Sequence, residues 1–286
     1  MSPGSAANLT RCTPLEKRVR RFTFPDMTRP KALVTGASSG IGKTYARKLA
    51  KRGFDLILVA RDRARMEDLA AELAKDGAAS QVVVADLTQS ADVGRVEQVL
   101  ESDPGITFFL NNAGIATVTP QLQTPVDVIE KLVALNVTAA TRLALAAARA
   151  FVSRKSGTLV NIASVVAVNP ERFNGVYSGS KAFLLALSHA LTRELDENGV
   201  TIQTVLPGAV RTEIWERAGT DVDSRLPAER IMDVDEMVDA ALKGLDLGER
   251  ITIPSLPDAQ QLADAESARL KLGPHLSWAH PAARYR

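Results

Sequence analysis

Three side chains in this sequence could together move a proton and stabilise an oxygen that gains charge. Tyr177 and Lys181 are four residues apart in a predicted helix, so their side chains share one face. A phenol with a pKa near ~10 becomes an effective acid–base catalyst when a nearby cation favours its phenolate. Ser164 ends a predicted strand and could hydrogen-bond a carbonyl oxygen as hydride arrives. The pattern indicates redox chemistry at an alcohol or carbonyl, with an exposed Tyr/Lys pair as the alternative.

A glycine-rich loop follows the first predicted strand, residues 31–35, and leads into a predicted helix. Gly36 would allow the tight turn, Gly40 would let the backbone approach a pyrophosphate, and Gly42 would let the helix pack closely on the strand. Hydroxyl donors come from two adjacent serines, Ser38 and Ser39. This order predicts a dinucleotide site, although a glycine-rich turn without a ligand is the alternative.

The residue at the tip of the second predicted strand indicates which dinucleotide is bound. Arg61 follows that strand where a carboxylate would hold the ribose of NAD, so NADP is preferred over NAD, with Asp62 weakening the inference. Asp86 follows the third strand, near the expected adenine position, and could equally be a turn or N-cap carboxylate. Asn136 interrupts a long apolar helical stretch, where a buried amide must be hydrogen-bonded. It is either a functional residue or a structural asparagine whose hydrogen bonds are satisfied.

The elements that must position these residues alternate between short apolar runs and helical patterns. The predicted strands are 31–35, 55–60, 81–85, 106–110, 158–163, 200–206 and 250–253. Continuous apolar strands separated by helices predict an α/β fold, a doubly wound, Rossmann-like parallel sheet of about seven strands in three layers. Ligands bind such sheets beyond the carboxyl ends of the strands, which is where the candidate residues fall. Residues 31–286 are interpreted as one dinucleotide-binding catalytic domain.

Composition excludes several classes of protein. The 286 residues are 45% hydrophobic and 24% charged, which excludes wholesale disorder. One cysteine, Cys12, favours a reducing, cytoplasmic location, and three scattered histidines predict no metal site. The sequence contains no run of 18 apolar residues, so it predicts no membrane-spanning helix. Residues 1–30 carry a net charge of +4 and are expected to form a flexible basic extension. Residues 31–286 therefore carry a net charge of −2, which disfavours nucleic acid as a partner.

The motifs occur in the order of a known family. TGASSGIG, NNAG, the Asn of ALNV, the Ser of NIAS, YSGSK and LPGAVRT span about residues 31–212. The sequence therefore resembles the short-chain dehydrogenase/reductase family in its single-domain form. The resemblance implies a tetrad of Asn136, Ser164, Tyr177 and Lys181, with Tyr177 as acid–base and Asn136 anchoring a water. It also implies that the cofactor contacts Ile41, Asp86, Leu87, Asn112, Ala113, Gly114, Tyr177, Lys181, Pro207, Gly208, Val210 and Thr212.

The resemblance also implies a mobile substrate lid near residues 211–230, named the lid segment here. Trp215 in it is either a lid residue or a packed helix anchor. The predicted substrate contacts are Ser164, Val166, Phe173, Tyr177 and Trp215, with Val165 and Asn174 also beside the pocket. An apolar wall of this kind suits a hydrophobic ketone or aldehyde as the small-molecule partner.

Two Ala/Leu-rich helices, 125–154 and 176–197, carry more apolar surface than one sheet face requires. We expect a homodimer or homotetramer, with a monomer as the alternative, and no membrane partner. The predicted activity is hydride transfer between NADP(H) and an alcohol or carbonyl compound. A non-catalytic, NADP(H)-sensing regulatory or scaffold protein on the same fold is the main alternative. A lyase or epimerase that uses transient hydride transfer is less favoured, because such proteins have longer substrate domains.

Overall fold

The computed structural model describes residues 29–286. Its strands are β1 (Lys31–Thr35), β2 (Asp55–Ala60), β3 (Ser80–Val84), β4 (Ile106–Asn111), β5 (Gly157–Ile162), β6 (Val200–Val205), β7 (Ala209–Val210), β8 (Ile231–Met232) and β9 (Ile251–Thr252). Its helices are α1 (Gly40–Lys51), α2 (Arg63–Ala74), α3 (Ser90–Ser102), α4 (Val126–Val133), α5 (Ala140–Arg154), α6 (Gly175–Asp196), α7 (Ile214–Arg217), α8 (Val234–Asp246) and α9 (Ala259–Leu272). The predicted extension lies outside the described residues, except for Arg29 and Pro30.

Seven strands form one parallel sheet in the order β3-β2-β1-β4-β5-β6-β9. The strand order reverses between β1 and β4, and such a switch point opens a crevice at the carboxyl ends of the strands. The short parallel pair β7–β8 follows β6 in the chain and brackets the lid segment. The predicted doubly wound parallel sheet is confirmed.

Both faces of the sheet are covered by helices, as the continuous apolar character of the strands requires. Successive side chains of a strand point to opposite faces. In β2, Leu58 packs on the face covered by α1, α2 and α8, whereas Ile57 packs on the face covered by α3, α5 and α6. The two apolar cores therefore hold the carboxyl ends of β1, β4 and β5 in fixed relative positions.

One continuous helical stretch, Val126–Arg154, joins α4 and α5 through a π-helical turn at Ala134–Ala139. Its 29 residues, with a mean hydropathy of 1.3 over one 18-residue window, are sufficient by length and composition to cross a membrane. The sequence analysis predicted no membrane span because the sequence has no unbroken run of 18 apolar residues. This helix differs because polar residues are interspersed among its apolar ones. Half of its apolar window is buried inside the fold, as in the core helices of globular proteins.

The ends of the described chain differ in how they are held. The Arg29 side chain donates hydrogen bonds to the carbonyl oxygens of Ala50 (2.8 Å), Gly53 (3.0 Å) and Gly77, just before β2 and β3. At the other end, α9 is a helix that the sequence analysis missed, and none of its residues is buried. Residues 273–286, which follow it, are all exposed.

Candidate active site

A cavity of about 440 Å³ opens at the carboxyl edge of the sheet, between β5, β6, α6 and the lid segment. Its lining includes most of the predicted chemistry. The predicted residues that line it are Ile41, Asn112, Gly114, Ser164, Val165, Val166, Phe173, Tyr177, Lys181, Pro207, Gly208, Val210, Thr212 and Trp215. The residues predicted as acid–base catalyst, carbonyl donor and pocket walls therefore lie around one cavity.

The glycine loop, residues 35–42, takes a backbone path that larger residues could not follow. Gly36 and Gly40 have φ angles of +69° and +49°. A Cβ on Gly42 would lie 2.3 Å from the carbonyl oxygen of Gly36, which is far inside van der Waals contact. Ser39 precedes α1 without a side-chain cap, so the first N–H groups of the helix are free of that competition. The loop thus forms a backbone cradle of the kind that accepts a phosphate.

Asn112 ties the glycine loop to the end of β4. Its Nδ2 donates to the carbonyl oxygen of Thr35 at 2.8 Å, and its backbone N–H donates to the Thr35 hydroxyl at 2.9 Å. The same hydroxyl accepts from the backbone N–H of Ala113 at 3.1 Å. The role of Thr35 was missed by the sequence analysis because a strand threonine has no distinguishing pattern.

Tyr177 lies in the first turn of α6, where Asn174 caps the helix. The Asn174 carboxamide oxygen accepts from the backbone N–H groups of Val176 (3.0 Å) and Tyr177 (3.3 Å). Its Nδ2 donates to the carbonyl oxygen of Thr119 at 2.9 Å. Asn174, which the sequence analysis placed beside the pocket, therefore fixes the position from which the Tyr177 ring enters the cavity.

The pKa of Tyr177 moves in the direction opposite to the sequence prediction. Burial raises it to about 12, against a smaller opposing effect of the nearby Ser164 hydroxyl. The predicted net lowering by Lys181 is wrong, because desolvation outweighs the attraction of an ammonium that lies 5.9 Å from the ring centroid. The phenol therefore stays protonated at neutral pH.

Lys181 is a buried cation, only 7% exposed, in the second turn of α6. Its Nζ donates to the carbonyl oxygen of Ile162, at the end of β5, at 2.9 Å. Burial lowers the pKa of Lys181 to about 8, because the ammonium loses hydration without gaining a carboxylate. Its remaining donors are free to contact a polar group in the cavity that it lines.

Asn136 lies in the π-helical turn and is satisfied on both sides of its carboxamide. Its oxygen accepts from the backbone N–H of Ile115 (3.0 Å), and its Nδ2 donates to the Ile115 carbonyl (2.8 Å) and to Ser180 Oγ (3.2 Å). The Ser180 hydroxyl donates to the carbonyl oxygen of Tyr177 at 2.7 Å. Asn136 does not line the cavity, but one hydroxyl links it to the backbone of Tyr177.

Ser164 ends the turn after β5 and is 9% exposed. Its hydroxyl donates to the carbonyl oxygen of Pro207 at 3.3 Å, a long hydrogen bond. The backbone N–H of Val166 in turn donates to Ser164 Oγ at 3.4 Å. Both contacts are weak by geometry, so the hydroxyl can turn towards a better acceptor in the cavity.

The residues after β2 and β3 differ in how they are engaged. Asp62 caps α2 by accepting from the backbone N–H of Arg65 at 3.1 Å, whereas Arg61 is exposed and forms no ion pair within residues 29–286. Asp86 Oδ1 accepts from the N–H and hydroxyl of Thr88 at 3.0 and 2.8 Å, which is a turn contact. The Leu87 side chain is buried in the core.

The lid segment is held over the cavity by ion pairs. Arg65 on α2 donates to both carboxylate oxygens of Glu213, at 2.9 and 2.7 Å, and Arg211 donates to both oxygens of Asp223. These arginines hold the pKa values of Glu213 and Asp223 below the usual range. The pairs therefore persist at neutral pH and are lost only as acid protonates the carboxylates.

An aromatic row joins the lid segment to the candidate acid–base residue. The Phe173 ring lies 5.2 Å from the Tyr177 ring and 6.1 Å from the Trp215 ring, both edge to face. The Trp215 indole N–H donates to the Val210 carbonyl at 2.9 Å. Trp215 therefore anchors α7 and lines the cavity at once, so the two interpretations of this residue are compatible.

The sequence analysis missed cavity residues from four regions, among them Ile162 and Ala163 at the end of β5 and Ala209 in β7. Ile115 and Ala116 follow the NNAG motif, and Ile214, Arg225 and Leu226 come from the lid segment. The described residues contain no group of three or more His, Cys, Asp or Glu side chains that could hold a metal ion.

Comparison with known proteins agrees with this architecture. The family model described as short chain dehydrogenase matches residues 30–223. A short-chain dehydrogenase from Sphingobium yanoikuyae, solved in complex with NADPH, is 48% identical and superposes with a TM-score of 0.87 over 90% of this chain and 100% of its own. A bulky-bulky ketone specific alcohol dehydrogenase from Comamonas testosteroni is 43% identical, with a TM-score of 0.82 over 90% and 98%.

A curated relative gives the same result. L-xylulose reductase from Caenorhabditis elegans is 34% identical over 224 residues, which cover 76% of this chain and 88% of that protein. The glycine loop, the Tyr177–Lys181 pair and the parallel sheet thus coincide with a family match over most of the chain. The chain belongs to the short-chain dehydrogenase/reductase family of oxidoreductases.

Proposed function

We propose that this protein transfers a hydride between NADP(H) and an alcohol or ketone, with Tyr177 as the acid–base residue. The observation that carries the proposal is the meeting of Ser164, Tyr177 and Lys181 in one apolar cavity at the carboxyl edge of the sheet. Such a cavity offers a substrate carbonyl two hydroxyl donors and an otherwise apolar surrounding.

In the direction of reduction, Ser164 and Tyr177 hydrogen-bond the carbonyl oxygen and Tyr177 gives it a proton. A pKa of about 12 keeps the phenol protonated at neutral pH, so Tyr177 carries the proton that reduction requires. Lys181, held by the Ile162 carbonyl, supplies positive charge near the phenolate that remains. Asn136 and Ser180 position the helix start rather than touch the substrate.

The residues around the glycine loop fit a dinucleotide. A Cβ at Gly36 or Gly42 would collide with Asn112, so only glycine keeps the tight loop, and the α1 N–H groups behind it face no side-chain cap. When bound, a nicotinamide dinucleotide supplies or accepts the hydride. Arg61 supports NADP over NAD, because Asp62 is engaged as a helix cap and the cation is left for a 2′-phosphate. The NADPH complex of the Sphingobium yanoikuyae relative supports the same cofactor.

The substrate class that fits best is a hydrophobic ketone. The cavity walls include Val165, Val166, Phe173, Ile214 and Leu226. The Comamonas testosteroni relative acts on ketones with two bulky substituents, which supports a roomy apolar site here as well. We further propose that residues 31–286 are one catalytic domain with a lid at 211–230.

A homo-oligomer is also part of the proposal. Phe183 on α6 is 44% exposed and Val133 on α4 is 40% exposed, although other residues of α6 are buried in the fold. Burying such side chains against a second copy would remove apolar surface from water.

The test is an NADPH-consumption assay over a panel of ketones, aldehydes and hydroxysteroids, repeated with NADH. The wild type should turn over at least one hydrophobic ketone with a lower KM for NADPH than for NADH. Tyr177→Phe should lose at least about a hundredfold in kcat, the order expected for removing acid–base catalysis, while binding NADPH within about twofold. Tight NADPH binding with no turnover across the panel would instead favour a cofactor-sensing protein.

A further inference from the structure

One charged residue of the lid segment reaches the wall of the candidate active site. Among the described residues that line the cavity, the charged ones are Lys181 and Arg225, and none is an aspartate or glutamate. Lys181 lies at the reacting end beside Tyr177. Arg225 belongs to the part of the lining that the lid segment supplies. An apolar cavity with cations and no carboxylates favours an anionic group in its ligand.

Two of the other three arginines of the lid segment form ion pairs: Arg211 with Asp223, and Arg217 with Glu213. Arg230 forms none within residues 29–286, but it does not line the cavity. Arg225 forms no ion pair within residues 29–286, although Asp221 and Asp223 are close along the chain. Its Nε donates to the Thr220 hydroxyl at 2.9 Å, which leaves the outer guanidinium nitrogens without a carboxylate.

The backbone under Arg225 is fixed, so its side chain is not merely a loose surface group. The N–H groups of Arg225 and Leu226 donate to the carbonyl oxygen of Val222 at 3.1 and 3.0 Å, and Val222 is 5% exposed. The N–H of Thr220 donates to the Trp215 carbonyl at 3.0 Å. The guanidinium is thus tied to the residue that ends the aromatic row from Tyr177.

We propose that Arg225 binds a carboxylate on the substrate, so that the preferred ketones carry an apolar body and an anionic group remote from the carbonyl. The inference rests on the proposed function, since it assumes that a ketone reacts at Tyr177. The apolar walls take up the body of the molecule, and the planar guanidinium donates two parallel hydrogen bonds to the carboxylate. Arg225 is then a specificity-determining residue.

The test compares 5-oxo-5-phenylpentanoate with its methyl ester, which present the same ketone with and without the charge. At pH 7 and low salt, the wild type should show a kcat/KM about tenfold higher for the acid, equivalent to about 1.4 kcal/mol. Arg225→Gln should bring the acid-to-ester ratio to one or below, and Arg225→Lys should retain part of it. Added salt should lower the wild-type ratio, because the guanidinium is exposed.

Arg230→Gln is the matched control. It makes the same chemical change in the same lid segment, but Arg230 does not line the cavity, so the acid-to-ester ratio should stay at the wild-type value. A wild-type ratio of one or below, or a ratio unchanged by Arg225→Gln, overturns the inference. A weaker NADPH affinity in Arg225→Gln with an unchanged ratio also overturns it and assigns Arg225 to the cofactor.

Failure of this inference is distinguishable from failure of the proposed function. Turnover of the ester and the acid at equal kcat/KM overturns only the proposed contact between Arg225 and a substrate carboxylate. Absence of NADPH-dependent turnover with every ketone tested removes the proposed activity itself.

Discussion

The glycine loop and the lid segment face the same cavity but are held by different forces. The glycine loop is fixed by backbone contacts and short amide hydrogen bonds that admit no added carbon atom. The lid segment is held by ion pairs between exposed side chains, such as Arg65–Glu213 and Arg211–Asp223. Exposed pairs contribute only about 0–1 kcal/mol each. The glycine loop is thus a rigid floor of the cavity, and we expect the lid segment over it to move at a lower energetic cost.

The rigidity of the floor predicts the largest effect. Gly42→Ala places a Cβ 2.3 Å from the Gly36 carbonyl and 2.7 Å from Asn112 Nδ2, so the loop must shift. We expect NADPH affinity to fall at least about tenfold and the free energy of unfolding to fall by about 1–3 kcal/mol. Fluorescence titration and urea denaturation measure the two quantities.

Gly179→Ala is the control for that substitution. Gly179 lies inside α6 with nothing within 4 Å of the added Cβ, so stability should be unchanged or rise by about 0.5–1 kcal/mol. Wild-type NADPH affinity in Gly42→Ala would show that the loop yields as easily as the lid segment.

Lys181, which lies on α6 beside the floor of the cavity, should give a smaller effect that depends on pH. Because burial lowers the pKa of Lys181 to about 8, the unfolded chain binds more protons than the folded protein above that pH. The free energy of unfolding should therefore rise between pH 7.5 and 9.5, by about 2 kcal/mol, from this residue alone. Lys181→Met should abolish the rise in the cofactor-free protein.

Exposed Lys51 on α1 provides the comparison, since Lys51→Met should keep the wild-type slope. Urea denaturation at several pH values gives both slopes. An identical slope in wild type and Lys181→Met would mean that Lys181 is hydrated in solution.

The lid segment predicts the smallest effect. Glu213→Gln removes the carboxylate shared by Arg65 and Arg217, which should raise the KM for a ketone by up to about fivefold with kcat within about twofold. The wild type should approach the variant as salt screens the ion pairs. Glu229→Gln, a lid carboxylate without an ion pair in residues 29–286, should leave KM unchanged. A large loss of kcat or stability in Glu213→Gln would show that the lid segment is as rigidly held as the glycine loop.

The sequence predicted the glycine loop and the Tyr177–Lys181 pair better than the contacts of the lid segment, for a physical reason. Gly36, Gly42, Tyr177 and Lys181 act through local spacing, so a strand-loop-helix pattern and a four-residue interval reveal them. The contact between Arg65 and Glu213 joins residues 148 positions apart, and no local pattern encodes it.

Burial and weak patterning account for the other differences. The pKa of Tyr177 depends on how fully the fold desolvates the phenol, which the Tyr–Lys interval does not reveal. Helix α9 was missed because it buries no residue and so has no apolar face to give it a period. The predicted strands agreed with β1 to β6 to within about one residue, because their buried apolar runs end where the chain turns.

The position of Arg29 has a practical consequence for handling the enzyme. Its guanidinium binds carbonyl groups that precede β2 and β3, which places it at the amino-terminal edge of the sheet, opposite the cavity. The described part of the chain therefore begins on the side of the sheet away from the cavity. A tag or support attached directly at Arg29, in a protein shortened to that residue, would have the whole depth of the sheet between it and the cavity.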